Sequence, residues 1–357
     1  MKHRYNILIT SGYNSIEIVK HFISLAKFNI KVFVIDLKIN AQMASIARCA
    51  VSPRVDDVHF KDFFIDYVKL NEIALVIPTR GDDVSFLARH KELEKSLNVK
   101  FAISLPEVIQ IVSSKKKTLD FCRMNGISVP EYYEVKNHVE LIESCEKLDY
   151  SNNTICIKPS DYPDGSGKGF RIIDPFVNVD RRMFWELPSQ MFYVKYDHVI
   201  EAMRNEESFP PMLVMEFLPG LEYSVYCFCH EGRMIYAVPN AKLELIETNS
   251  RVAKIDMNSI ILDYSRKVCE LFGFEYNVNI QWKMDSTGIP KLVEINPRVA
   301  GTIMLPVKAG IDLLELTILK SLGMDEIPEY SLIDGMLIKR ELIDIFTVDN
   351  NEELGKI

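Results

Sequence analysis

The sequence predicts an α/β protein in which an N-terminal parallel-sheet domain precedes a larger α+β portion. Three observations carry that expectation. In the first hundred residues, short apolar runs at Ile7 to Ile9, Val32 to Ile35, Ala74 to Ile77 and Phe101 to Ile103 alternate with helical patterns, the rhythm of βαβ units. From Thr154 onward the apolar runs change partner and spacing, at Ile155 to Ile157, Leu213 to Met215, Tyr223 to Phe228 and Met234 to Val238, which reads as antiparallel or mixed sheet. The chain has 357 residues, enough for two or three domains at roughly 100 to 200 residues each.

The first strand runs into Thr10-Ser11-Gly12-Tyr13-Asn14, which has one glycine where a dinucleotide fingerprint has three. It reads as a tight turn that starts a helix, and no nicotinamide or flavin site is expected there. Pro106 to Met124 reads as helical, stopped by Asn125-Gly126 and the extended Val129-Pro130, with a domain boundary near residue 112. A helix is expected from about Ser259 to Phe272. Next come two strands, Val278 to Lys283 and Lys291 to Ile295, joined by the turn composition Asp285-Ser286-Thr287-Gly288, and then a helix over Asp312 to Leu322.

Composition excludes several classes. Forty-two Lys and Arg against fifty Asp and Glu leave a net charge of -8, so there is no basic footprint for nucleic acid. Seven cysteines without a Cys-x-x-Cys pair suggest neither a disulfide framework nor a zinc site, and Cys227 and Cys229 read as core thiols. The seven histidines stand apart from any acid and nucleophile pattern, which leaves a hydrolase triad without support. No run approaches the ~18 apolar residues of a membrane span, so no membrane partner is expected and the expected location is cytoplasmic.

Two segments carry chemistry. The first, Ile157-Lys158-Pro159-Ser160-Asp161-Tyr162-Pro163-Asp164-Gly165-Ser166-Gly167-Lys168-Gly169-Phe170, is a strand ending in lysine followed by a glycine-rich loop. Glycines let backbone amides approach phosphate oxygens and the lysine fixes a positive charge beside them, although the spacing is not that of a P-loop. The second is Leu292-Val293-Glu294-Ile295-Asn296-Pro297-Arg298, with Asn279-Ile280-Gln281 on the partner strand. Positions two apart on a strand share a face, so Glu294 and Asn296 project together and Gln281 joins them across the turn. Oxygen ligands of this mixed charge suit magnesium bound together with a nucleotide, because that ion takes few protein ligands.

With these segments the chain resembles the ATP-grasp superfamily of carboxylate-amine ligases, most closely its carbamoyl-phosphate-synthetase-like and biotin-carboxylase-like branch, over roughly residues 5 to 325. The resemblance implies a pre-ATP-grasp domain at 1–112, a small lobe with the glycine-rich loop at 113–218, a lobe with the metal site at 219–330 and a C-terminal extension at 331–357. Lys115, eleven residues before Gly126, looks like the first phosphate-contacting lysine, with Lys116 and Lys117 as alternative registers. Lys158 looks like the second, and Gly165, Ser166, Gly167 and Gly169 like the mobile phosphate loop. Met215-Glu216-Phe217-Leu218-Pro219-Gly220-Leu221-Glu222 matches the adenine hinge. There the Glu216 carbonyl, Phe217 and the Leu218 amide would meet the base, and the Glu222 carboxylate the ribose. Gln281, Glu294 and Asn296 resemble the magnesium ligands, and manganese can substitute for that ion. Arg298 resembles the arginine that holds the transferred phosphoryl group or the substrate carboxylate. Gly301 and Thr302 would line the substrate path, while Lys242 is a weaker match to a basic residue facing the γ-phosphate. The Lys339-Arg340 pair beyond the last helix reads either as a substrate contact or as a solvated end.

The implied activity is ATP-dependent activation of a carboxylate as an acyl phosphate, followed by attack of an amine to form a C–N bond. The implied partners are small-molecule carboxylate and amine substrates and, for assembly, a homodimer is compatible. Two alternatives stand beside this one: a carboxylase of the biotin-dependent type, for which the sequence has no attachment motif, and a non-catalytic nucleotide-binding module.

Overall fold

The computed structural model describes residues 5–160, 169–181, 192–206, 208–246, 249–324 and 327–341, and the structural statements below concern these. Strands β1 (Tyr5–Thr10), β2 (Ile30–Asp36), β3 (Arg48–Val51), β4 (Leu75–Pro78) and β5 (Lys100–Phe101) form a parallel sheet in the order β3-β2-β1-β4-β5. Helices α1 (Ile16–Ser24), α2 (Ala41–Ile46), α3 (Phe60–Leu70), α4 (Gly81–Arg89) and α5 (Leu93–Leu97) alternate with them. Ile7, Leu8, Ile9, Leu75, Val76 and Ile77 are fully buried, as continuous apolar strands covered on both faces must be. Edge strand β3 escapes the sequence pattern because its ends, Arg48 and Val51, are exposed.

The helical pattern expected over Pro106 to Met124 is two helices, α6 (Pro106–Val112) and α7 (Lys115–Met124). Their junction, Ser113-Ser114, is where a domain boundary was expected, and the Ser114 hydroxyl accepts from the Lys117 amide to start the second helix. A second sheet follows, built antiparallel from β6 (Tyr132–Val135), β7 (Ile155–Pro159), β8 (Arg171–Ile173) and β9 (Met212–Glu216) in the order β6-β9-β7-β8. Helices α8 (His138–Lys147) and α9 (Tyr196–Met203) cover it, and its core is separate: Val135, Leu141, Ile155, Ile157 and Val214 on one face, Leu119, Tyr132, Leu213 and Met215 on the other.

The third sheet is antiparallel. It holds β10 (Glu222–His230), β11 (Arg233–Ile246), β12 (Asn249–Ile255), β13 (Tyr276–Met284), β14 (Pro290–Asn296) and β15 (Leu337–Lys339) in the order β14-β13-β10-β11-β12-β15. The segment expected as an extension from residue 331 therefore supplies an edge strand of this lobe. One face of the sheet, with Tyr223, Val225, Cys227, Ile280 and the fully buried Trp282, packs with residues of helix α10 (Ser259–Phe272) in a core that also holds Leu8 and Phe33. Tyr226 and Phe228 share a second core with α11 (Met304–Lys308), α12 (Leu313–Ser321) and Ile7, Ile9 and Val34 of the parallel sheet. The N-terminal domain and the third-sheet lobe thus share their cores. Polar contacts reinforce the junction: His21 to Asp312 at 2.7 Å, and Tyr5 to Ser321 at 2.9 Å.

All seven cysteines are free, and no helix among the described residues is long and apolar enough to cross a membrane.

Candidate active site

The site begins with the parity of β10. Residues directly opposite in a sheet share a face, and the register sets Glu222 beside Lys242 and Lys283, and Ser224 beside Asn240 and Gln281. Gln281 in turn faces Glu294, and Asn279 faces Asn296. This makes a polar face on a sheet whose other face is apolar core. A register shift after Gln281 produces it: Trp282 pairs with Leu292, so Val293 is an extra residue on β14. Simple alternation would put Leu292 on the face of Glu294. The bulge instead buries Leu292 completely and leaves Glu294 and Asn296 on the polar side.

The hydrogen bonds of this face leave several of its oxygens free. Gln281 Nε2 points to Asn279 Oδ1 at 3.4 Å, and Asn296 Nδ2 donates to Glu294 Oε2 at 3.1 Å. Both amide nitrogens are thereby turned inward, and Gln281 Oε1, Asn296 Oδ1 and Glu294 Oε1 remain as acceptors. The buried Asn279 Nδ2 and Asn240 Oδ1 have no partner, which marks polar groups that a ligand shell would satisfy. No cluster of three or more His, Cys, Asp or Glu side chains that could hold a metal exists among the described residues. A set of one carboxylate and two amide oxygens fits magnesium held jointly with phosphates, since alone it is too weakly charged.

Lys158 leaves the end of β7 and lies across from this face. Desolvation pushes its ammonium below the ordinary lysine value. The charges of Glu294 and Glu222 oppose that shift, and the charge of Lys115 adds to it. Glu294, Glu222 and Lys115 therefore lie within electrostatic reach of Lys158. Among the three candidate lysines of α7, Lys116 is paired with Asp120 at 2.6 Å and Lys117 is exposed, which leaves Lys115, in the first turn, as the one acting on Lys158. Gly165, Ser166 and Gly167 lie outside the described residues. Gly169, at the end of that loop, has φ +80°, and a Cβ there would lie 2.8 Å from the Pro159 ring, so the chain returns tightly against the strand that carries Lys158.

The hinge follows β9. The Glu216 carboxylate is bound by Lys291 at 2.7 Å and by the Glu131 amide at 3.0 Å, so only its backbone is available to a ligand. Phe217 packs beside Met215 and Cys156, with the Lys283 ammonium 5.5 Å from its ring centre. The Leu218 amide makes no hydrogen bond among the described residues. Glu222 is ion-paired with Lys242, a cross-strand neighbour twenty residues away that sequence spacing flagged only weakly.

Gly220 fixes the hinge to the end of β13. Its amide donates to the Met284 carbonyl at 3.0 Å, and an added Cβ would lie 2.7 Å from that oxygen and 2.5 Å from Met284 Cβ. Gly220→Ala is expected to displace this turn, costing about 1 to 3 kcal/mol of stability. Thermal melting of the variant checks it.

Beyond Asn296 the chain turns sharply, with the Arg298 amide donating to the Asn296 carbonyl at 2.9 Å. The Arg298 guanidinium is pulled below its ordinary value by desolvation, against the opposing charge of Glu294. Its Nη1 donates to the Val299 carbonyl at 3.3 Å. Thr302 meets the Tyr226 hydroxyl, and Arg340 Nη2 donates to the Gly301 carbonyl at 2.7 Å. Tyr226, Asn240 and Asn279 were not expected from the sequence as site residues. The Asn279-x-Gln281 alternation was the available signal for Asn279; Tyr226 and Asn240 have none without strand pairing.

The Gly12 turn is organised differently. The Asp36 carboxylate takes the Tyr13 amide at 2.8 Å and the Leu37 amide at 2.6 Å, donors that a pyrophosphate would need there. Nearby, Thr10 donates to the buried Asp83 at 2.8 Å. Desolvation first, and then the neighbouring Asp82, push the Asp83 carboxyl up from 3.8 to about 7. The unfolded chain releases this proton near pH 4 and the folded chain holds it to pH 7, so stability falls across that interval and levels off above it. Asp83→Asn is expected to remove this slope and to add roughly 3 to 4 kcal/mol at pH 8. Urea unfolding at pH 5 and pH 8 measures it.

Comparisons with known proteins bear on the family and the fold. Residues 208–340 match the family model "ATP-grasp in the biosynthetic pathway with Ter operon", and residues 7–102 match "PylC-like, N-terminal domain". The fold resembles N5-carboxyaminoimidazole synthetase from Staphylococcus aureus complexed with ADP, with TM-score 0.67 and 14% identity over 93% of this chain and 81% of that one. It also resembles the L-amino acid ligase of Bacillus licheniformis, with TM-score 0.63 and 14% identity over 90% and 75%. Biotin carboxylase from Campylobacter jejuni gives TM-score 0.65 and 15% identity over 92% and 73%. In sequence, 126 residues are 31% identical to carnosine synthase 1 of Gallus gallus, a match that takes in 32% of this chain and 13% of that much longer protein.

Proposed function

We propose that this chain, whose residues 208–340 match an ATP-grasp family model, is an ATP-dependent ligase joining a carboxylate to an amine. The observation that carries the reading is that Lys158, at the end of β7, feels the charges of Lys115 and of Glu294 and Glu222 on the third sheet. Lysine cations near carboxylates and amide oxygens suit a nucleotide triphosphate with its metal.

In this reading the Leu218 amide and Glu216 carbonyl bind the adenine edge, Phe217 lies beside the ring, and the Glu222 oxygen not used by Lys242 takes the ribose. Lys115 and Lys158 hold phosphate oxygens, and Gln281, Glu294 and Asn296 hold magnesium. The ion, when bound, neutralises charge on the phosphates during transfer. A substrate carboxylate oxygen attacks the γ-phosphorus while the bond to the bridging oxygen breaks, and ADP leaves with that electron pair. The Arg298 fork stabilises the phosphoryl group in flight. The amine nitrogen then attacks the acyl carbon, the acyl–oxygen bond breaks, phosphate departs and the ammonium proton passes to water.

A screen of carboxylates crossed with amines, read by ADP release and by product mass, tests the proposal. ADP formation should require both magnesium and a carboxylate. Equal ADP release with and without carboxylate, or none across the panel, would refute it.

A further inference from the structure

We propose that Arg340 binds the free carboxylate of the acceptor, which makes the amine substrate an amino acid. This assignment rests on the ligase reading above. Two arginines converge on one loop from opposite edges of the third sheet: Arg298 follows edge strand β14, and Arg340 follows edge strand β15. Arg298 Nη1 donates to the Val299 carbonyl at 3.3 Å and Arg340 Nη2 to the Gly301 carbonyl at 2.7 Å, oxygens two residues apart. The charges of both bear on the Tyr226 phenol, whose hydroxyl touches Thr302 of the same loop.

Arg340 is held there firmly. Its amide donates to the Arg251 carbonyl at 2.9 Å, continuing the pairing of β12 with β15. Its side chain is exposed, makes no ion pair among the described residues, and spends one donor on Gly301. Among the described residues the rest of the fork is open to a planar anion.

The two arginines differ in depth, and that separates their tasks. Arg298 is half-buried and adjoins Glu294, the carboxylate of the metal set, so its charge serves the phosphoryl group. Arg340 is on the solvent side of the same loop. An amine that attacks the acyl carbon enters from solvent after phosphoryl transfer, and the part of it that trails outward meets Arg340. A carboxylate on that trailing part completes a bidentate pair, and an amine without one gains nothing there.

The test separates acyl transfer from acceptor recognition. Hydroxylamine, an amine with no carboxylate, traps the acyl phosphate as a hydroxamate. With the donor that gives most hydroxamate, amide formation is measured for each of the twenty amino acids and for its decarboxylated amine. Arg340→Gln keeps a donor for the Gly301 carbonyl and loses the charge, and Arg340→Lys keeps the charge without the fork. In the wild type, the best amino acid should outperform its decarboxylated amine. In Arg340→Gln its KM should rise about 100-fold, at least tenfold more than any loss in hydroxamate formation, and lysine should recover part of it. Three results overturn the assignment: wild-type KM in Arg340→Gln, an equal fall in hydroxamate and amide, or a wild-type preference for the decarboxylated amine. A wild type that makes neither hydroxamate nor ADP with any carboxylate removes the ligase reading, and this assignment with it.

Discussion

Glu294→Ala should lower ADP formation by about three orders of magnitude or more, the scale of transition-state charge stabilisation that a bound metal provides. The residue is the only carboxylate of the Gln281, Glu294 and Asn296 set, so its loss leaves two neutral amides. The fold should survive, with a melting temperature within about 3 °C of wild type, because the side chain stands on the polar face and its one hydrogen bond, from Asn296, is partly exposed. Glu294→Gln should behave alike in turnover. A second consequence separates an electrostatic role from a steric one. Glu294 opposes the desolvation of Lys158, so removing its charge lowers the Lys158 pKa further. As pH is raised, ATP affinity of Glu294→Gln should therefore begin to fall earlier than that of the wild type. Calorimetric titration of ATP from pH 7 to 10 reads this directly; wild-type turnover in either variant would refute the metal assignment.

Arg298→Ala should lose about two to four orders of magnitude in turnover, roughly 3 to 5 kcal/mol for a lost charge clamp, while ATP affinity changes far less. The guanidinium makes no ion pair among the described residues and donates only to the Val299 carbonyl, so the folded state does not depend on it for charge balance. In the proposed mechanism its charge meets what forms during phosphoryl transfer, and an interaction made only in the transition state appears in turnover rather than in binding. Lysine should restore part of the activity, since a point charge cannot reproduce the fork. A parallel fall in affinity and turnover would make Arg298 a binding residue and remove the main electrostatic element of the mechanism.

Much of this site was legible in the sequence because strand chemistry is local. Glu294-x-Asn296 and Lys158 stand on strands whose apolar neighbours announce them, and the turn at Asp285 to Gly288 places Gln281 opposite. What stayed hidden depends on pairing between distant strands or on interrupted periodicity. Alternation alone assigns Leu292 and Glu294 to one face, and only the bulge at Val293 separates them. Lys242 meets Glu222 through the β10–β11 register, and Arg340 reaches Gly301 only because residues 337–339 add a strand to the far edge of the sheet. The parallel sheet shows the same limit. Its buried strands read clearly, whereas β3, with exposed ends, carried no apolar run. The break between α6 and α7 falls at two serines within a continuous helical pattern, where capping by Ser114 overrides propensity.

The central claim is that a carboxylate oxygen attacks the γ-phosphorus between Lys158 and Glu294. Its most direct test uses a substrate carboxylate labelled with oxygen-18 in both oxygens, turned over with unlabelled ATP and an amine, with the released phosphate analysed by mass spectrometry. The mechanism requires one labelled oxygen in each phosphate, because the acyl–oxygen bond breaks when the amine attacks. Unlabelled phosphate accompanied by amide product would show that no acyl phosphate forms and would contradict the account.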